Sequence, residues 1–240
     1  MAENTNRSWR LALAACASMG CFVPISNAVP HGASTAGKGA LRITGTVEYP
    51  VIDQLATTSS PPDASAPNTY PTSQAPYGSI QATYGVTDEV DVDVGLDGEV
   101  QGVLPVPHGG YLGFRYVPYR GGNVRIGLGA RFGYSGFAAS YTTEPFDDST
   151  VRVYHGAASL LMTVTRWPKV QPTFGVSVQP IRADGLVQGT QMVALRGMNA
   201  AATLGLRVYW VTPFVTAGFL TTDNVRGQAP YFTFGLAKSL

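Results

Sequence analysis

The chain has 240 residues, enough for one sizeable domain, and only 13% of them are charged, about half the usual share. A net charge of +1 gives no basis for nucleic-acid binding, and no run of about 18 or more apolar residues is present that could form a transmembrane helix. Both cysteines, Cys16 and Cys21, lie near the amino terminus, so neither disulfides nor a cysteine metal site can hold the remaining chain together.

Residues 1–21 have the pattern of an export signal. Arg7 and Arg10 precede a short apolar stretch at 11–19, and small residues follow it. Because that stretch is too short to span a bilayer, we predict a signal peptide over residues 1–21 and not a membrane helix.

Two places within this signal resemble the lipobox of bacterial lipoproteins, one ending at Cys16 and one at Cys21. The second leaves the longer apolar core, so we predict that Cys21 carries a lipid, with Cys16 as the alternative. An ordinary cleaved signal, cut for example after Ala28, is the third interpretation.

Two segments further along lack periodicity. Residues 22–39 contain Pro and Gly at irregular spacing and are predicted to be a linker. Residues 56–76 are rich in Ser, Thr and Pro, so we predict an exposed loop at about 53–76.

Apolar and polar residues alternate with a period of two in most of the remaining chain, which is the pattern of a half-buried strand. We therefore predict that residues 40–240 form one all-β domain, with a short helix only within Gln188–Ala200. The ten alternating segments start near Leu41, Ile80, Val90, Leu112, Val124, Tyr154, Phe174, Ala202, Val215 and Phe232.

The connections between these segments alternate in length, and aromatic residues crowd the short ones. Tight turns are predicted at Gly85–Asp88, Tyr119–Asn123, Arg166–Lys169 and Val211–Pro213, and longer pieces at 53–76, 97–109, 137–149, 181–198 and 223–230. The aromatic residues near the tight turns are Tyr84, Tyr116, Tyr119, Trp167, Tyr209 and Trp210. The polar faces of the strands are rich in Gly, Ser and Thr and poor in Lys, as expected of a crowded lumen and not of a surface in water.

By this pattern, residues 40–240 resemble small bacterial outer-membrane β-barrel proteins with a lipoprotein-like signal peptide. The resemblance implies an antiparallel up-and-down transmembrane barrel of about ten strands, with eight as the alternative, surrounded by outer-membrane lipid. The alternation of Phe232, Phe234 and Leu236 towards Leu240 resembles the barrel-insertion signal and implies the barrel-assembly machinery as a partner. A soluble periplasmic barrel with its apolar faces turned inward around a small apolar ligand is an alternative.

Charged residues lie on the predicted lumen faces and nearly balance in sign. Because isolated charges are costly in a narrow lumen, we expect them to pair across it and to plug it. The predicted network comprises Arg42, Glu48, Glu89, Asp91, Asp93, Arg115, Arg125, Arg131 and Arg207. A Ca²⁺ site at Asp91 and Asp93 is the alternative, but the stretch lacks EF-hand spacing, so we predict neither a metal nor another cofactor.

Catalysis has only weak candidates. His155 faces inward near the start of a strand, with Ser159 on the same face, and barrel hydrolases such as the omptins place a histidine near the extracellular rim. We therefore predict a structural, surface-interaction or narrow-pore barrel with a side-chain-filled polar lumen, and keep a hydrolase using His155 as the alternative. The long loops would bind any surface ligand, whose nature the sequence does not indicate.

Overall fold

The computed structural model describes residues 29–51, 77–101, 104–139, 149–187, 190–191, 195–222 and 225–240. Ten long strands and one two-residue strand account for nearly all of them. They are β1 (Leu41–Val51), β2 (Tyr77–Gly85), β3 (Val90–Gln101), β4 (Leu104–Gly121), β5 (Val124–Ala139), β6 (Ser149–Val164), β7 (Val170–Val187), β8 (Thr190–Gln191), β9 (Leu195–Val208), β10 (Val211–Thr222) and β11 (Val225–Ser239). Within the described residues, no helix is long and apolar enough to cross a membrane.

The long strands form one closed antiparallel barrel. Each long strand pairs with the long strands before and after it in the chain, so that β7 pairs with β9, and β1 pairs with β11 to close the sheet. The short strand β8 extends only the end of β7. The predicted antiparallel up-and-down barrel of about ten strands is thus confirmed.

The outer surface of the barrel is apolar and its interior is polar. Leu112 and Phe132, neighbours on β4 and β5, are 64% and 65% exposed, whereas Thr44 and Thr83 on inward faces are 0% exposed. A soluble protein rarely exposes so continuous an apolar surface, whereas a membrane barrel presents one to lipid. The barrel therefore spans the bacterial outer membrane, and the alternative of a soluble barrel with apolar faces inward is wrong.

Four short turns lie at one end of the barrel, at residues 86–89, 122–123, 165–169 and 209–210. We call this end the short-turn end. Aromatic side chains near these turns are exposed, as in the interfacial girdle of membrane barrels; they include Tyr84, Tyr119, Trp167, Tyr209 and Trp210. In barrels of this class the short turns face the periplasm. The turn predicted at Val211–Pro213 lies two residues earlier, because Val211 already pairs with Val208.

The strands extend further at the opposite end than the sequence predicted. The segments predicted as longer pieces at 97–109 and 223–230 are mostly strand, because β3 and β4 leave only residues 102–103 between them and β11 begins at Val225. Glycine and proline suggested loops there, but strand pairing keeps the backbone extended. β3 and β4 pair with each other as far as Gln101 and Leu104, with a register shift between Asp97 and Gly98, and β11 pairs with β10 from Val225 onward.

The predicted helix within Gln188–Ala200 is also wrong where the structure describes it. Thr190–Gln191 is β8, and β9 begins at Leu195 and pairs with β7 and β10. Cross-strand pairing overrides the weak local helix preference at this position. Residues 188–189 and 192–194 lie outside the described residues.

Candidate functional site: a plugged lumen

A segment before the first strand enters the barrel and is buried there over residues 30–34. Residues 29–40, which we call the plug, contain neither helix nor strand, yet His31, Ala33 and Ser34 are only 5%, 0% and 1% exposed. The plug enters at the short-turn end, where the backbone of Gly85 bonds to both Gly39 and Ala40. The sequence predicted a linker at 22–39 but contained no signal of its burial, and residues 22–28 lie outside the described part.

Asp91 is the principal contact on one side of the plug. The backbone N–H of Ala36 donates to its carboxylate, with the nitrogen 3.1 Å from both oxygens. Arg115, the direct cross-strand partner of Asp91, lies 3.4 Å from it and donates at 2.7 Å to the carbonyl oxygen of Ser34. Arg42 also donates to that carbonyl at 3.4 Å and lies 3.9 Å from Asp91. These contacts offset the desolvation of a fully buried carboxylate.

Polar side chains continue this cluster away from the plug. Asp93 lies 3.6 Å from Arg115 and accepts a hydrogen bond of 2.6 Å from the hydroxyl of Thr83. Gln81 donates to Thr83 and accepts from the hydroxyl of Tyr111. The Arg131 guanidinium lies 4.1 Å from the centroid of the Tyr111 ring, a cation–π distance.

Three threonines hold the plug on the other side of the lumen. Thr163 accepts from the backbone N–H of Ala33 at 2.9 Å, and Thr173 donates to the carbonyl of Pro30 at 3.1 Å. Thr203 accepts a longer bond of 3.4 Å from the backbone N–H of Val29. The plug is therefore bonded to side chains of six strands, namely β1, β3, β4, β6, β7 and β9.

Two glycines permit close packing between the plug and the wall. Gly32 has a φ of +50°, and a Cβ added there would lie 2.6 Å from the carbonyl oxygen of Met162. Gly175 on β7 faces Val29, and a Cβ on Gly175 would overlap with a methyl carbon of that valine. Non-bonded carbon atoms lie about 3.5–4.0 Å apart. Any larger side chain at position 175 would therefore force Val29 to move.

The predicted lumen charges fall into separate groups. Arg42, Asp91, Asp93 and Arg115 lie together, whereas Arg131 stacks on Tyr111 and Glu48 accepts from Thr233 at 3.4 Å. Arg125 and Arg207 face the lumen at the short-turn end. Glu89 is not a lumen residue: the strand begins at Val90, so Glu89 lies exposed in the turn, and its placement in the network was wrong.

The geometry around His155 does not form a catalytic arrangement. His155 is 2% exposed, and its Nδ1 lies 3.1 Å from Nε2 of Gln179, which contacts Asn199 in turn. Ser159 is four residues along the same strand, roughly 13 Å away at the usual rise. No group of three or more His, Cys, Asp or Glu side chains that could hold a metal ion occurs among the described residues.

The plug and its threonines were the functional residues that sequence reasoning missed. Thr163, Thr173 and Thr203 occupy inward positions of regular strands, and so do many other Ser and Thr residues in the chain. The only local signal in the plug was the spacing of glycines at 32, 37 and 39, all of which have positive φ. Such glycines predict an irregular backbone but do not say where it lies.

Comparison with solved structures returns other outer-membrane proteins. An outer membrane channel from Pseudomonas putida F1 has a TM-score of 0.47 and 9% identity, and the match covers 89% of this chain and 100% of that one. Ail, the attachment invasion locus protein of Yersinia pestis, has a TM-score of 0.34 and 7% identity, covering 83% and 96%. The outer membrane protease OmpT of Escherichia coli has a TM-score of 0.34 and 9% identity, covering 84% and 94%.

No protein-family model and no curated protein sequence matches the chain. The description of this protein as an outer-membrane barrel rests on its own strand pairing, its apolar exterior and its polar interior.

Proposed function

We propose that the protein is a gated narrow pore of the outer membrane, closed by residues 29–40. The observation that carries this proposal is the position of the plug, which crosses the lumen and bonds to side chains on six strands. A barrel of about ten strands has a narrow interior. A twelve-residue segment of this kind blocks the passage of solutes until it moves.

The contacts of the plug suit reversible closure. The plug contacts the wall through hydrogen bonds, each contributing about 0.5–1.5 kcal/mol, or about 1.5–3 kcal/mol when one group is charged, and through a small apolar cluster of Val29 and Ala33 with Val117 and Leu161. Within the described residues, the plug is joined covalently to the wall only where it continues into β1 through Ala40. The plug can therefore withdraw from the mouth while the strand pairing of the barrel stays intact.

Planar-bilayer conductance tests the proposal. The variant Gly175→Val places side-chain atoms where Val29 now lies and should displace the end of the plug, and deletion of residues 29–36 should remove most of it. Both variants should conduct more than the unchanged chain at the same voltage. Gly45→Val is the matched control, because Gly45 lies on an outward face and a Cβ there would meet no atom within 4 Å.

A reversible cross-link gives a second, opposite test. Val29→Cys and Gly175→Cys together would place the two Cβ atoms about 3.3 Å apart, close to the range of about 3.5–4.5 Å found in disulfides. At raised voltage the unchanged chain should show openings, whereas the oxidised double variant should show none until a reducing agent is added.

A barrel that stays permanently sealed, with a structural or surface-interaction role, gives different results. Neither deletion of the plug nor Gly175→Val would then raise the conductance, and the gated-pore proposal would be wrong. The separation of His155 from Ser159 does not favour a hydrolase, so the pore remains the function that the geometry supports best.

A further inference from the structure

His31 lies in a tight turn of the plug, and one of its ring nitrogens is buried without a partner. The side chain is only 5% exposed, and Nε2 makes no hydrogen bond to any described residue. The turn closes on itself, because the backbone N–H of Ser34 donates to the carbonyl of His31 at 3.2 Å. A buried polar atom without a partner costs free energy, so Nε2 contributes nothing to the stability of the closed plug.

The barrel wall holds this turn from two sides. On one side, Arg42 and Arg115 donate to the carbonyl of Ser34 at 3.4 Å and 2.7 Å, so two guanidinium groups contact the turn that contains His31. On the other side, uncharged threonine hydroxyls of β6 and β7 bond to the backbone of residues 33 and 30. The imidazole is therefore fixed in the lumen beside cationic groups for as long as the plug stays in place.

The surroundings of His31 disfavour its charged form. The buried carboxylates of Asp91 and Asp93 are already paired with arginines. Burial lowers the pKa of His31 well below its ordinary value of 6.5, and the charges of four guanidinium groups lower it further. These groups belong to Arg42, Arg115, Arg131 and Arg207. In a released plug the imidazole would meet water and regain its ordinary pKa, so the released plug binds a proton more tightly than the closed one.

We infer that a proton on His31 releases the plug, so that acid opens the pore. The proton would add a positive charge to the turn that Arg42 and Arg115 already contact. Because the released state binds it more tightly, each pH unit below about 6.5 should raise the ratio of released to closed plug by up to about tenfold. The inference rests on the proposed function where it concerns the current, whereas release of the plug is measurable even in a barrel that never conducts.

Amide hydrogen exchange of residues 29–40, measured by mass spectrometry on the full chain in detergent, tests the release directly. The comparison is between about pH 7.5 and about pH 5, on either side of the ordinary pKa of histidine, after correction for the intrinsic effect of pH on exchange. In the unchanged chain the plug should exchange roughly tenfold or more faster at the lower pH. His31→Gln cannot gain a charge and should lose this acceleration, and bilayer conductance at the same two pH values should follow the exchange.

His155→Gln is the matched control, because His155 is also buried with an unpartnered Nε2, but its Nδ1 lies 3.1 Å from Gln179 of the wall. This variant should keep the acid response. Heat-modifiable gel mobility verifies that each barrel folds, and His31→Asn replaces His31→Gln if the larger amide already releases the plug at neutral pH.

Two results would overturn the inference. One is exchange of the plug that does not respond to acid in the unchanged chain. The other is an acid response of equal size in His31→Gln, which would place the proton on another group, such as Asp91. Acid release without any current would leave the role of His31 standing and would refute the gated pore instead.

Discussion

The backbone N–H of Ala36 points between the two carboxylate oxygens of Asp91, at 3.1 Å from each. This contact joins the plug to the wall through an acidic side chain that both Arg42 and Arg115 approach. Both arginines also donate to the carbonyl of Ser34. Asp91 therefore both compensates the charges of Arg42 and Arg115 and binds the plug to the barrel wall.

Removing the charge of Asp91 should loosen the plug and destabilise the barrel. Asp91→Asn leaves two buried guanidinium groups with less compensation, and breaking a buried pair in this way typically costs about 3–5 kcal/mol. We expect more frequent channel openings and a lower urea midpoint, measured by bilayer recording and by heat-modifiable mobility.

Asp184→Asn is the control for this prediction. Its pair with Arg182 has a similar distance of 3.4 Å, but the two side chains are 39% and 58% exposed. An exposed pair contributes only about 0–1 kcal/mol. Equal changes in channel opening and urea midpoint for the two variants would contradict the prediction that the burial of Asp91 makes its charge costly to remove.

Gly32→Ala should release the plug more than Gly37→Ala does. Both glycines have positive φ, so each substitution costs roughly 1–2 kcal/mol in backbone strain. Only at Gly32 would the added Cβ also approach the carbonyl of Met162 and the hydroxyl of Thr163, each at 2.6 Å, whereas at Gly37 it meets nothing within 4 Å. The open probability in bilayers measures the difference, and a larger effect at Gly37 would contradict the packing described for the plug.

A charge on the lipid-facing surface should impair insertion according to its depth. Leu112 lies in the middle of β4 and is 64% exposed, so Leu112→Arg should cost about 2–4 kcal/mol. Val86→Arg, in the turn of 86–89, should cost only about 0–1 kcal/mol. Folding yields into lipid vesicles at increasing urea report these costs, and equal yields for the two variants would speak against a membrane around Leu112.

The processing of the amino terminus remains a prediction from sequence alone. If Cys21 is lipidated, the mature protein from outer membranes should begin at Cys21 with the added mass of acyl chains, and Cys21→Ser should abolish that mass. Attachment at Cys16, or a cut after Ala28 without lipid, would give a different starting residue. Intact-mass spectrometry distinguishes the three outcomes.

Local alternation was sufficient to predict the class of this fold. The valines of β3 and the leucines of β4 and β5 mark outward faces, and Asp91 and Asp93 mark an inward face, because side chains on a strand alternate with period two. The predicted loop at 97–109 was wrong because Gly and Pro there lie in paired strands. The predicted helix within Gln188–Ala200 was wrong because pairing with β7 and β10 keeps Leu195–Ala200 extended.

Sequence by itself determined an antiparallel membrane barrel, its short-turn end and most of the charges that face its lumen, since these depend on residue period and composition. Only the tertiary structure decided which charges meet: Arg115 reaches Asp91 because they are cross-strand partners, whereas Arg42 reaches the same carboxylate from β1, which does not pair with β3. It also decided that the plug enters the barrel, with residues 30–34 buried in the lumen. Their burial depends on hydrogen bonds to Thr163, Thr173 and Thr203, more than 120 residues away in sequence, and no local pattern encodes contacts of that kind.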